Sequence, residues 1–345
     1  MTESSGAGRR QQLARWFHRA NVLPLAGRVR DALFNDLRIL AYHRVLDSSE
    51  PADFDFDLEL ISASASDFRD QMTAVKKDFV PMRFDQVIDC LDRGEPLPPR
   101  ATLITFDDGY DDNYRIAFPI LQELGMSAMF FVSTGHIDSG APYAYDWAVH
   151  MICRTPADRL LLPEAGIDWP LPPTIAGRRQ VASRFLSRLK EFPAVVQERL
   201  VATMEQDWSL PRAPHMHCQP MSWAQLREMQ AGGMEVGSHG VHHRMLAKMP
   251  HELMIQEINE SKAMLDRNLN LPAQVLSYPV GGFDAFDEVV VQAARSAGFR
   301  LACSYVSGTS RLQSDTMYSL RRLHVERYVD AAWFRGMMEL PELFG

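Results

Sequence analysis

TLITFDDGYDDNY, residues 102–114, carries an apolar segment straight into two adjacent aspartates, Asp107 and Asp108, and then a glycine. Strands seldom end on paired like charges at the edge of a core, so the pair asks for a chemical reason. The stretch also sets the fold. Short apolar runs such as RILAYHRV (38–45), ATLITF (101–106), SAMFFVST (127–134), MEVGSH (234–239) and FRLACS (299–304) alternate with amphipathic segments of helical period. SDFRDQMTAVKKDF (66–79) places Phe68, Met72 and Val75 on one face, and SWAQLREMQAGG (222–233) opens with a capping box of Ser222 and Gln225. This alternation predicts an α/β fold with a mostly parallel sheet, closed into a barrel or wound open. In a barrel, active residues cluster at the C-terminal ends of strands, where Asp107, Asp108 and His239 would all sit.

A second motif, GSHGVHHRML (237–246), sets His239 and His243 four residues apart. On a helical turn that spacing brings two imidazoles to one side, within reach of one metal. With a carboxylate added, the set suits a divalent ion with positions left open for water and substrate. One aspartate of the pair can complete it; the other can take a proton from water that the metal acidifies. A blander reading makes the aspartates a helix N-cap and a solvated neighbour, and the histidines a surface turn. Two such motifs, each after a strand and before a helix, favour the metal site.

TFDDGYDDNY, GSHGVHH and SYPVGGFD, in that order, resemble the polysaccharide deacetylase family, the NodB-homology group of metal-dependent carbohydrate N-deacetylases. ILAYHRV and PLPPRATLITFDDG add to the likeness, which covers roughly residues 38–330 apart from an insertion. The resemblance implies a distorted (β/α) barrel of the NodB-homology type, with about seven strands. It implies Asp107 as base and Asp108, His239 and His243 as ligands of zinc, with cobalt or nickel as alternatives. A backbone N–H near Val280–Gly281 would join the metal in stabilising the oxyanion. The departures are specific. Gly240 stands where the family has Ser or Thr. Ser277-Tyr278-Pro279-Val280 lacks the arginine that orients the base, a role open to Arg322 or Arg321. Asp146–Trp147 falls in the insertion, out of order for the family's Asp…Trp motif. The general acid is open between His43, at the end of the first strand, and His324; His242 ranks third. Tyr278 is a candidate substrate contact.

The implied reaction removes an N-acetyl group from an amino sugar in a glycan or glycan precursor. Rivals are a deformylase of a lipid-linked amino sugar, a cyclic-amide hydrolase of the same superfamily, and an inactive glycan-binding protein. A free base beside a full ligand set speaks against the last. The expected division is a helical extension over 1–37, barrel over 38–138, a helical insertion or lid over 139–220, and barrel again over 221–345. The insertion is too long for a plain connection. In it Tyr143, Tyr145 and Trp147 offer flat faces for sugar rings. The net charge of −8, from 36 basic and 44 acidic residues, argues against a nucleic-acid partner. Four scattered cysteines read as free thiols of a reducing compartment, and no apolar secretory core opens the chain, so a cytoplasmic place is expected. Residues 9–30 mix arginines with Leu13, Trp16, Phe17 and Leu23. They read as a helix docked on the domain's outside or as a membrane-surface helix, associated peripherally. The oligomeric state is not legible.

Overall fold

Seven parallel strands close a barrel in the computed structural model, which describes residues 3–47, 54–313 and 316–345. They are β1 (Arg38–Tyr42), β2 (Ala101–Phe106), β3 (Met129–Val132), β4 (Glu235–Ser238), β5 (Val275–Ser277), β6 (Leu301–Ser307) and β7 (Leu320–His324). The order around the ring is β1-β7-β6-β5-β4-β3-β2, and β2 returns to β1 in register from Arg38↔Thr102 to Tyr42↔Phe106. Such strands are covered on both faces, which is why β2 reads as a nearly continuous apolar run and is buried throughout. The distortion has a visible cause. A short strand, Val80–Pro81, pairs with Ala101 and Thr102, so β3 reaches β2 only at Thr105 and Phe106.

The chain between strands follows its local signals. Ser64 caps the helix Ala65–Asp78, and Ser222 with Gln225 forms the expected capping box on Trp223–Ala231. Gly94 and Gly125 end their helices in the left-handed conformation. Two expectations need correction. RILAYHRV is not one strand: it breaks after Tyr42, and Arg44–Val45 pairs instead with Ile61–Ala63. The helix that follows the aspartates is not regular either. It opens with a π-helical stretch, Asn113–Ala117, in which the Phe118 N–H reaches the Asn113 carbonyl. Pro119 lies just beyond; it has no N–H to give residue 115, and the widened turn accommodates it.

Residues 139–220 hold the helices Ala144–Arg154, Ile175–Leu189 and Ala194–Asp207. They also hold an antiparallel hairpin, Arg159–Leu162 with Ile167–Pro170, in a segment that showed no strands in the sequence. Trp147, Phe185 and Leu200 form an apolar cluster here, to which Phe54, Phe56 and Tyr110 contribute from the barrel side. The N-terminal helices, Glu3–Arg19 and Leu23–Leu33, pack on Ala331–Glu339. Arg30 is buried against Asp36, and Arg38 reaches Asp31 at 2.6 Å. Among the described residues, no helix is long and apolar enough to cross a membrane.

Candidate metal and catalytic centre

At the C-terminal mouth of the barrel, Asp107 and Asp108 follow β2, His239 follows β4, and Val280 follows β5. They line one cavity of about 280 Å³, together with His43, which follows β1, and His243. All four residues of the inferred base-and-ligand set are therefore brought together. The turn after β2 is tight: Gly109 has φ +76°, and a Cβ there would lie 2.9 Å from the Val132 side chain.

Asp107 is buried and gripped by Arg322, whose two terminal nitrogens donate to Oδ1 at 2.8 Å and Oδ2 at 2.7 Å. Arg322 is itself wholly buried. It also donates to the Ser304 carbonyl, Thr105 Oγ1 and Ser277 Oγ. Burial alone would raise the Asp107 carboxyl; the Arg322 charge, with His239, holds it below its ordinary value. The guanidinium missing from the third motif thus comes from β7, and of the two candidates it is Arg322. Its neighbour Arg321 is exposed.

Asp108 faces the imidazoles. His239 Nε2 and His243 Nε2 stand 3.4 and 3.2 Å from its Oδ1, an atom that is buried and has no well-formed hydrogen bond. His239 Nδ1 donates to the Ser277 carbonyl at 2.8 Å, so its Nε2 lone pair points at the same spot. Burial opposes charge on Asp108, but the two histidines bring its carboxyl well below the usual range. Two imidazole nitrogens and one carboxylate oxygen converging on a buried point fit a divalent metal.

The histidine loop is not a helical turn. Gly240 (φ +76°) and His243 (φ +55°) fold residues 239–243 back on themselves, and this brings the two rings to a centroid separation of 4.8 Å. The loop is tied down by Glu257, whose Oε1 accepts from the Val241 and His242 N–H groups. His242 turns away to Glu257 Oε2. Asp108 (φ +74°) and Val280 (φ +63°) are also left-handed. Three non-glycine residues in this conformation around one cavity mark a site held by its surroundings. One such support is the Tyr143 hydroxyl, which donates to the Asp108 carbonyl at 2.7 Å.

The remaining candidates separate. His43 lines the cavity, its backbone fixed by Ser62 Oγ and Asn113 Nδ2. His324 does not; it is stacked on Tyr305 at 3.7 Å, and burial, with Arg322 and His43 nearby, pushes its imidazole down to about 3. Tyr278 touches the cavity but is fully buried, its hydroxyl on the Tyr318 carbonyl and its ring stacked on Phe286. Trp147 is a correction. It lies in the insertion's apolar cluster, only 5% exposed, with Nε1 on the Leu210 carbonyl. Tyr145 lines the cavity instead, 5.0 Å from the His243 ring. Two residues along a helix rotate the side chain by about 200°, so 145 and 147 cannot share a face. Asp146, between them in the chain, is wholly buried. It accepts from the Tyr110 hydroxyl at 2.7 Å, and burial raises it to about 7.

Several contacts in and around the site have no signal in the sequence motifs. Arg44 of the YHRV motif pairs with Asp112 at 2.7 Å, both buried, and Asp111 pairs with Arg115, so both acids of the second pair in the opening stretch are held in ion pairs. Tyr305, Asp57, Glu59 and Lys190 also line the cavity. Nothing local marks them: Tyr305 stands on β6, Asp57 and Glu59 lie in the segment after β1, and Lys190 lies in the insertion.

The sequence pattern of the polysaccharide deacetylase family matches residues 94–302, more than half of the chain. The poly-beta-1,6-N-acetyl-D-glucosamine N-deacetylase of Escherichia coli is 32% identical over 108 residues, 31% of this chain and 15% of that protein. YxkH of Bacillus subtilis, which carries a polysaccharide deacetylase name, is 21% identical over 240 residues, 70% of this chain. The match spans 57% of YxkH's length. Among solved structures, the Streptococcus pyogenes deacetylase PplD superposes with a TM-score of 0.58 at 18% identity, over 90% of this chain and 98% of that one. IcaB from Ammonifex degensii gives 0.54 at 21%, over 88% and 96%. The barrel is thus one shared with deacetylases, and with Asp107, Asp108, His239 and His243 all inside the matched region, the chain belongs to the polysaccharide deacetylase family.

Proposed function

We propose that this chain is a metal-dependent N-deacetylase that removes acetyl from an amino sugar in a glycan or glycan precursor. The observation that carries the reading is the pair of adjacent aspartates in two different environments. One is locked to an arginine; the other converges with two imidazoles. Asp108, His239 and His243 would hold the metal, zinc by donor set, and when bound it supplies an electrophile for the amide carbonyl and acidifies water. Asp107, kept ionised by Arg322, accepts the proton. His43, at the cavity wall, returns a proton to the leaving amine. His324 is the weaker candidate, since an imidazole near 3 holds no proton at neutral pH. Acetate release from N-acetylglucosamine oligomers, with and without chelator, tests the reaction. Alanine at His43 should flatten the alkaline limb of the kcat profile with metal content intact, and alanine at His324 should not. If neither moves that limb, the proton comes from another group.

We also propose that the N-terminal helices rest on an anionic membrane surface. Seven of the seventeen large apolar side chains that are exposed among the described residues lie between 13 and 34, including Trp16, Leu25, Val29 and Leu33. Residues 1–34 carry six arginines against two acids in a chain whose net charge is −8. Exposed Arg10, Arg19 and Arg28 lie in the same two helices.

A further inference from the structure

A second cluster of metal-type donors lies away from the catalytic cavity, where the insertion meets the barrel. One ligand atom from each of Asp55, His150 and His215 lies within 4.8 Å of the other two. The three come from three chain segments: the stretch after β1, the helix Ala144–Arg154, and the loop that leads out of Ala194–Asp207. None of them lines the catalytic cavity. Asp55 Oδ1 and His150 Nδ1 are buried and have no hydrogen-bond partner. That is a costly state for two polar atoms unless something binds them.

We infer that Asp55, His150 and His215 form a structural zinc site that pins the insertion to the barrel. The His150 ring is held in place, stacked on Trp147 at 4.4 Å and on Phe56 at 5.4 Å. Arg154 bonds Asp55 through Oδ2 at 2.7 Å, which leaves Oδ1 for the metal. Zinc bonds of about 2.0–2.2 Å in a tetrahedron put ligand atoms about 3.4 Å apart, so side-chain rotation suffices to close the set. His215 Nδ1 accepts from the His217 N–H at 3.2 Å, and ligation exchanges that long bond for a metal bond. The fourth position falls to water or to His217, whose Nδ1 is also buried without a partner. Two imidazoles and a carboxylate, with no thiolate, favour zinc over softer ions. The site goes beyond the catalytic reading and does not depend on it.

The test removes the catalytic ligands first. The full chain carrying His239→Ala and His243→Ala, dialysed against micromolar zinc and then metal-free buffer, is analysed for bound zinc and for Tm. It should retain one equivalent, and zinc should raise its Tm. Adding His150→Gln and His215→Gln should remove both the equivalent and the Tm response. Because the first of these side chains is packed in a core, His215→Gln alone, on a partly exposed ring, serves as the second variant and should weaken retention at least tenfold. The inference is overturned if the His239→Ala/His243→Ala chain, native by circular dichroism, retains no zinc. It is equally overturned if the cluster substitutions leave retention unchanged.

Discussion

Asp107 and Arg322 are buried together, and neither is supportable alone. Removing one partner of such a pair leaves an uncompensated charge in the core and costs about 3–5 kcal/mol. The sign of the titration follows from the contacts. Asp107 titrates below its unfolded value, so its share of stability is complete above the ordinary carboxylate range and is lost as pH falls through the folded value. The same depression keeps the Asp107 carboxylate ionised in mildly acid solution. Arg322→Lys keeps a positive charge but loses the two-pronged grip on the carboxylate. It should therefore raise the Asp107 pKa and move the acid limb of the kcat profile to higher pH. Arg322→Met should move it further, with a loss of about 3–5 kcal/mol in urea unfolding. An acid limb that stays put in both variants would mean that Arg322 does not set the charge of the base.

At the scale of elements, the insertion contributes both core and cavity, and its first helix separates the two. Trp147 faces the apolar cluster, whereas Tyr145 faces the histidines. Trp147→Ala should therefore act on stability, by about 3–5 kcal/mol in thermal or urea unfolding. Tyr145→Ala should raise KM more than it lowers kcat, since a ring beside the cavity is felt by bound substrate and transition state alike. The reverse assignment, an unstable Tyr145→Ala and a high KM in Trp147→Ala, would refute the placement. This pair also shows what the sequence withheld. The strands and helices were legible because their signals are local: the apolar run of β2, the spacing of Phe68, Met72 and Val75, the Ser222–Gln225 box. So were the two site motifs, for the chemistry of each sits within a few residues. The Asp107–Arg322 contact joins residues 215 apart in the chain, and only the resemblance suggested it. The helical face of Tyr145 depends on where its helix begins, which aromatic content does not reveal. The hairpin at 159–170 and the fold of the histidine loop depend on packing and on left-handed backbone at His243.

At the scale of the molecule, charge and apolar surface are unevenly distributed. The chain beyond residue 34 is acidic as a whole, while the first two helices are basic and show apolar side chains outward. Docking on residues 331–344 explains Ala14, Leu23 and Arg30, which are buried, but not Leu25, Val29 and Leu33. Co-sedimentation with vesicles should show binding to phosphatidylglycerol-containing bilayers and little to phosphatidylcholine alone. Binding should weaken as salt rises. Leu25→Asp with Val29→Asp, both on exposed positions, should reduce it at least tenfold and leave Tm within a few degrees. Equal binding by this variant would assign the face to another role.

The division of labour between the two aspartates is the centre of the account, and metal content measured beside kcat for Asp107→Asn and Asp108→Asn tests it most directly. Asp107→Asn should hold as much metal as the parent chain and lose about 10²–10⁴-fold in kcat, because an amide cannot accept the proton. Asp108→Asn should lose the catalytic equivalent of metal together with the rate. If Asp107→Asn sheds metal as readily as Asp108→Asn, or turns over at the parent rate, the assignment of base and ligand is wrong.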